Sequence, residues 1–109
     1  MIYFEEELTP LEKLEEYIMN EYDMEFLNDE IIGKVNTIEQ QIANNNRALQ
    51  EVELKDSWED IKSNIRELEK YKDRGLFCKY AVHMDSCLWG QGYVIFDQDY
   101  RFIDFVRTI

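Results

Sequence analysis

The sequence predicts an α+β fold in which three helices pack on a C-terminal three-stranded antiparallel sheet. Up to Gly75 the apolar residues recur at helical spacings of three and four. After it, aromatic and β-branched residues form short alternating runs. The chain has one proline and no linker rich in glycine, serine and proline. Residues 1–109 therefore form one domain, with a helical part (1–74) and a β part (75–109).

The first helix is predicted at about residues 10–23. Thr9 stands at its N-cap, Pro10 at the first helical position and Glu12 at the third, a capping-box pattern. One face then carries apolar residues at spacings of three and four: Leu11, Leu14, Ile18 and Tyr22.

The second helix is predicted at about residues 29–51, with Asn28 and Asp29 offering a cap. Its apolar positions form a heptad seam: Ile31, Val35, Ile38, Ile42, Asn45, Leu49 and Val52. Asn45 is polar, and the three asparagines around it favour helix poorly. We expect the helix to continue to about Glu51. The seam packs either on the third helix or on a second copy of the chain, so homodimerisation stays open.

The third helix is predicted at about residues 57–73. Ser57 and Asp60 have the spacing of a capping box, and cations cluster toward the C-terminal end. Its apolar stripe consists of Trp58, Ile61, Ile65, Leu68 and Tyr71. Gly75 is expected to end this region in the left-handed conformation.

Three strands are predicted at about residues 76–83, 89–96 and 100–107. The polar tripeptide Asp97-Gln98-Asp99 joins the last two as a hairpin turn, and Met84–Cys87 turns the chain between the first two. Ile2-Tyr3-Phe4 is a candidate for an additional edge strand. The order of the strands does not follow from the sequence.

Charge is distributed unevenly along the chain. The first 30 residues hold eleven acidic residues against the single Lys13, and the whole chain has a formal net charge of −12. Such a field repels nucleic acid and anionic membranes and attracts basic protein surfaces. We therefore expect a protein partner, no direct nucleic-acid binding and no membrane association.

Localisation is predicted from what the chain lacks. No secretory signal or membrane-spanning segment is recognisable, and the chain has only two cysteines, Cys78 and Cys87. Two thiols without a signal are typical of a reducing cytoplasm. We therefore expect a cytoplasmic protein of a bacterial host cell.

Metal-binding and catalytic patterns are weak. Cys78, His83 and Cys87 have irregular spacing for zinc, and Asp85 is a poor fourth ligand. On a strand, Cys78 and His83 would also point to opposite faces. A nucleophilic pair of Cys87 with His83 lacks an orienting residue and an oxyanion element. The sequence thus predicts no metal, no cofactor and no enzymatic activity.

Two features near the last strands have structural interpretations. Gly90-Gln91-Gly92 marks a bulge or a close approach of the backbone to a neighbour. Trp89 is either a core residue or an anchor in an interface, since tryptophan is frequent at binding hot spots.

The acidic helical segment is the principal candidate for a binding site. Carboxylates three or four residues apart on a helix lie about 5–6 Å apart at their Cβ atoms, and side-chain freedom can widen this to roughly the spacing of phosphates along a nucleic-acid strand. The proposed partner-binding carboxylates are Glu12, Glu15, Glu16, Glu21, Asp23 and Glu25. Tyr17, Tyr22 and Trp89 would add flat apolar contact. The alternative is a solvated helix face that serves only solubility.

In size, acidity and lack of catalytic motifs, the chain resembles phage-borne inhibitors, including anti-CRISPR proteins and inhibitors of uracil-DNA glycosylase or restriction enzymes. That resemblance implies a DNA mimic that occludes the basic nucleic-acid-binding groove of a larger protein. Two alternatives remain open. One is an immunity protein or antitoxin that neutralises a basic nuclease toxin, and the other is a regulatory module that self-associates through residues 31–52.

Overall fold

In the computed structural model of the protein, the described residues are 8–51, 55–84 and 91–108. They form three helices and an antiparallel sheet, which confirms the α+β class. In chain order the elements are α1 (Pro10–Tyr22), β1 (Met24–Phe26), β2 (Asn36–Thr37), α2 (Ile38–Glu51), α3 (Lys55–Glu69), β3 (Phe77–His83), β4 (Gln91–Phe96) and β5 (Phe102–Arg107).

The sheet has the strand order β1-β3-β4-β5, and the short β2 pairs with β3 beyond the end of β1. The predicted C-terminal strands are confirmed as β3, β4 and β5. The predicted count of three was too low, because β1 and β2 come from the part of the chain expected to be helical. Both are only two or three residues long, and they hydrogen-bond to the side of β3 that β4 leaves free.

Helices cover both faces of the sheet. On one face, Leu14 and Ile18 of α1 pack in a buried cluster with Met24, Phe26, Ala81, Val94 and Phe96. On the other face, Ile38 of α2 and Leu68 of α3 pack in a second cluster with Leu76, Cys78, Ile95 and Val106. Neighbouring residues of a strand point to opposite faces, and here both faces are covered. Val94, Ile95 and Phe96 are therefore all buried, and β4 ends in a continuous apolar run.

Helix α1 begins where the capping box predicts. The Thr9 hydroxyl accepts a hydrogen bond from the Glu12 N–H at 3.2 Å, and the Glu12 carboxylate accepts one from the Thr9 N–H at 3.0 Å. The helix ends at Asp23, whose backbone is left-handed with φ of 53°. This end turns the chain directly into β1.

Helix α2 begins at Ile38, so the predicted start at residue 29 was wrong. The Asp29 carboxylate does cap a turn, accepting the N–H groups of Ile31 and Ile32 at 2.8 and 2.9 Å. The turn closes with a hydrogen bond from the Gly33 N–H to the Asp29 carbonyl, and the chain then forms β2. The cap of α2 itself is Thr37, whose hydroxyl accepts the Gln40 N–H while the Gln40 side chain accepts the Thr37 N–H.

The heptad seam is consequently divided. Ile31 is 86% exposed, and Val35 packs on the α1 side of the sheet. Ile38 and Ile42 belong to the cluster beneath α2 and α3, and Val52 lies outside the described residues. The expected continuation of the helix through Asn45 to Glu51 is confirmed.

Helix α3 spans Lys55–Glu69 rather than 57–73. Ser57 therefore lies within the helix and is not its cap. Gly75 has φ of 68°, which confirms the expected left-handed conformation, but it does not end α3, which stops six residues earlier at Glu69.

The predicted hairpin between β4 and β5 is confirmed. The Asp97 carboxylate accepts the N–H groups of Asp99 and Arg101 at 2.8 and 3.0 Å, and Tyr100 is left-handed with φ of 61°. At Gly92 the Val106 carbonyl occupies the place of a Cβ atom, so the close backbone approach predicted there is confirmed. The expected turn beyond Met84 and the additional strand at 2–4 fall outside the described residues.

Candidate protein-binding surface on the first helix

The packing of α1 determines which of its acidic side chains face solvent. Leu14 and Ile18 are buried against the sheet, so the opposite side of the helix is outward. Glu12 and Glu16 lie there, four residues apart and both exposed. Their Cβ atoms are therefore about 5–6 Å apart.

Glu12 has a structural role as well as an outward position. Its hydrogen bond with the Thr9 backbone holds the pKa of the carboxyl below its usual value. The side chain therefore stays negative at every pH near neutrality. It presents charge at the N-terminal end of α1, where the helix dipole also favours an anion.

Glu15 is turned toward the protein. It is half-buried, and its carboxylate accepts the N–H of Phe26 in β1 at 3.0 Å. It also lies near the buried Lys79. Burial lowers the pKa of Lys79, and the charge of Glu15 raises it by a smaller amount. Glu15 thus fastens α1 to the edge strand, and less of its charge is available to a partner.

The remaining three carboxylates point in different directions. Glu21 is exposed on the last turn of α1, and Asp23 is the exposed left-handed residue that follows. Glu25 lies between the buried Met24 and Phe26 on β1, so it points to the sheet face opposite α1. The six predicted carboxylates therefore do not form one row, and Glu25 in particular is separated from Glu16 by the sheet.

Of these carboxylates, Glu15 lies near a cation, Lys79. The ion pairs recorded within the described ranges are Lys70–Glu67 at 2.9 Å and a long Arg101–Asp99 contact at 4.0 Å. Neither involves the acidic residues of α1 and β1. Glu12 and Glu16 thus present negative charge on the outward side of α1. Glu21 is also exposed, but it lies at the end of the helix on the side of Leu14 and Ile18.

An aromatic cluster lies where α1 meets β5 of the sheet. Tyr17 and Tyr22 of α1 contact the ring of Phe102 in β5, with centroid distances of 5.7 and 5.1 Å. Both tyrosines keep more than two fifths of their surface exposed, 43% and 45%. Desolvation, and then the neighbouring Tyr22, raise the pKa of the Tyr17 hydroxyl.

Phe102 was not anticipated as part of this surface. Phe102 lies on the α1 side of the sheet. Its position under Tyr17 and Tyr22 depends on the strand order, which the sequence does not give. A shallow groove of about 360 Å³ adjoins the cluster, lined by Lys13, Leu14, Tyr17, Tyr100, Arg101 and Phe102. The charged side chains of this groove are Lys13 and Arg101, so it adjoins the aromatic cluster without adding negative charge to it.

The residues considered above for metal binding and nucleophilic catalysis lie mostly outside this surface. Cys78 is buried between β3 and the helices, and burial raises the pKa of its thiol to about 12. His83 lies on the same strand, five positions on, so the two point to opposite faces as predicted. Asp85, Cys87 and Trp89 lie outside the described residues. Among the residues that are described, no cluster of three potential metal ligands occurs.

The three helices are too short or too polar to be membrane spans, as far as the described ranges extend. No protein-family model, curated protein or solved structure matches this chain.

Proposed function

We propose that the protein binds a cationic surface of a larger protein through α1, and that it thereby inhibits a nucleic-acid-binding enzyme by occluding its basic groove. One observation carries the proposal. Three exposed carboxylates and two exposed tyrosines share a helix that packs on the sheet through its buried side, is tied to β1 by Glu15 and leads directly into β1.

Rigidity is the first argument. The capping box holds the start of α1, Asp23 ends it, and the Glu15 hydrogen bond ties its middle to β1. A partner therefore meets carboxylates whose positions are already ordered. Association then costs less conformational entropy than it would with a flexible acidic tail.

The aromatic cluster is the second argument. Tyrosines contribute large, stiff contact areas and are frequent at binding hot spots, whereas a helix that serves only solubility has no need of exposed rings. Here the rings lie next to Glu16 and Glu21 in the sequence and on the same helix. Carboxylates would steer the encounter, and the rings would slow dissociation.

A displacement assay tests the proposal. Labelled DNA is bound to purified nucleic-acid-binding enzymes, including a CRISPR nuclease, a uracil-DNA glycosylase and a restriction endonuclease, and its anisotropy is followed as the protein is added. We expect displacement from at least one enzyme, with an association rate that falls as salt is raised.

The variant Glu16→Lys/Glu21→Lys should lose displacement, since both charges face solvent and neither caps the helix. A matched control is Glu59→Lys/Glu69→Lys, which reverses two exposed charges on α3 and leaves α1 untouched. Equal loss in the two variants would mean that only net charge matters. The absence of displacement from every enzyme would refute the proposed inhibition.

A further inference from the structure

A second groove lies on the other side of the sheet from α1, along helix α2. Two adjoining depressions of about 360 and 460 Å³ share Ile31, Asn36, Asn44 and Arg47, so they form one continuous trough, which we call the α2 groove. Its lining extends from Asn36 to Glu51. At 1.5 Å per residue along the helix, the trough is about 20 Å long.

One lip of the α2 groove is apolar and unusually exposed. Ile31 and Ile32 have 86% and 57% of their surface in solvent, the largest values among the large hydrophobic residues that the structure describes. An isoleucine pair exposed to this extent costs free energy unless something covers it.

The loop that carries the isoleucines is held in one conformation. Asp29 accepts both of their N–H groups, and the Gly33 backbone is packed so closely on the Leu27 carbonyl that no side chain fits there. From below, the buried Lys79 ammonium donates to the carbonyls of Leu27 and Gly33. Ile31 and Ile32 are therefore exposed on a turn that these contacts hold in place.

The floor of the groove consists of side-chain amides. Asn36 donates to the Gln41 carbonyl oxygen at 3.0 Å, and the Gln41 amide donates to Asn45 at 2.9 Å and to the Tyr93 hydroxyl at 3.2 Å. The Asn45 Nδ2 is buried without a hydrogen-bond partner among the described residues. These amides bond to one another and to Tyr93, so they give the groove an ordered polar floor.

The charge of the α2 groove differs from that of the whole chain. The chain has twice as many acidic as basic residues, yet Lys34 and Arg47 line the groove against the single carboxylate of Glu51 at one end. Three acidic residues lie nearby, and one of them, Glu30, is exposed directly before Ile31 in the chain. Asp29 caps its own turn, and Glu39 accepts the N–H of Asp73.

We infer that the α2 groove binds a peptide segment that carries apolar and acidic side chains. Apolar side chains would cover Ile31 and Ile32, and acidic ones would meet Lys34 and Arg47. An extended chain rises about 3.3 Å per residue, so about six residues fill the trough. Sugars and nucleobases fit less well, because they are bound by stacking on aromatic faces and the only ring in the described lining is Tyr93.

This inference does not depend on the proposed function, because it concerns different exposed residues. It is tested by selecting binders from a displayed library of random peptides with the full-length protein. We expect the selected peptides to be enriched in isoleucine, leucine or valine together with aspartate or glutamate. A labelled selected peptide then gives the dissociation constant by fluorescence anisotropy.

The variant Ile31→Ser/Ile32→Ser and the variant Arg47→Glu should each weaken binding by about tenfold or more. All three side chains are exposed, so the variants should keep the circular dichroism spectrum of the parent. The matched controls are Ile103→Ser on β5 and Arg66→Glu on α3, which should bind like the parent.

Three results would overturn the inference. They are the selection of basic or purely polar peptides, undiminished binding by the Ile31→Ser/Ile32→Ser variant, and no enrichment at all. Light scattering tests the competing occupant, a second copy of this chain. If the parent is a dimer and Ile31→Ser/Ile32→Ser makes it a monomer, the groove is a self-association site and the peptide proposal is wrong.

Discussion

The substitution Ile18→Ala tests the packing that orients the candidate surface. Ile18 is fully buried between α1 and the sheet. Removing three carbon atoms loses about 2.4 kcal/mol of transfer free energy at about 0.8 kcal/mol each. A residual cavity of about 50 Å³ adds about 1.2 kcal/mol at about 24 cal/mol per Å³. We therefore expect the free energy of unfolding to fall by about 3–4 kcal/mol.

Urea unfolding followed by circular dichroism measures this change as a lower midpoint with an unaltered slope. For a domain of this size the melting temperature should fall by about 12 °C or more. The matched control is Met19→Ala, the next residue on the same helix, which is 37% exposed. If the two substitutions cost the same, α1 is not packed on the sheet through Ile18, and the outward orientation of Glu12 and Glu16 loses its basis.

Four further outcomes are expected. Thr37→Ala should lower the free energy of unfolding by about 1 kcal/mol in the same urea assay, because it removes the cap of α2. In a Cys87→Ser variant, the remaining Cys78 should react with an alkylating agent only in denaturant, because its thiol is buried and its pKa is raised to about 12. Hydrogen bonding to Asp104 raises the pKa of Tyr71 to about 12, so its stabilising effect is complete below the unfolded pKa near 10 and is lost as the pH rises toward 12. Tyr71→Phe should flatten that loss in alkaline urea titrations. The pKa of Asp29 is lowered by the N–H groups that it caps, so its contribution is present above about pH 4 and is lost on acidification, and Asp29→Ala should remove this part of the acid sensitivity.

The two proposed surfaces are independently testable. The first depends on Glu16 and Glu21 with the aromatic cluster on α1, and the second on Ile31, Ile32 and Arg47 beside α2. The sheet lies between the two helices. The variants Glu16→Lys/Glu21→Lys and Arg47→Glu change exposed residues that the two surfaces do not share, so each should leave binding at the other surface unchanged. Glu15 is an exception, because it acts on Lys79, which also holds the turn that carries Ile31 and Ile32.

Features encoded by neighbouring residues were predictable from the sequence. The capping box of α1, the persistence of α2 through Asn45 and the Asp97 turn each depend on contacts within about four residues, and all were found. The start of α2 was missed because two capping signals compete. Asp29 and Thr37 both cap a turn, and the crowded backbone at Gly33 marks where the first turn stops.

The short strands were not predictable in the same way. β1 and β2 are too short to show a period, and β2 follows a segment that looks helical. They form because β3 has unpaired backbone groups along one edge. A sequence pattern does not show which edge of β3 stays free, because that depends on how β3 pairs with β4.

For the candidate surface, the sequence by itself determined the composition: many carboxylates, two tyrosines and few cations in one helical segment. Only the tertiary structure decided where these groups point. The pleat of β1 turns Glu25 away from α1, the Phe26 N–H engages Glu15, and Phe102 arrives from the far end of the chain to complete the aromatic cluster. Charge and helical period are local properties, whereas the direction of a side chain depends on which distant strand its element packs against.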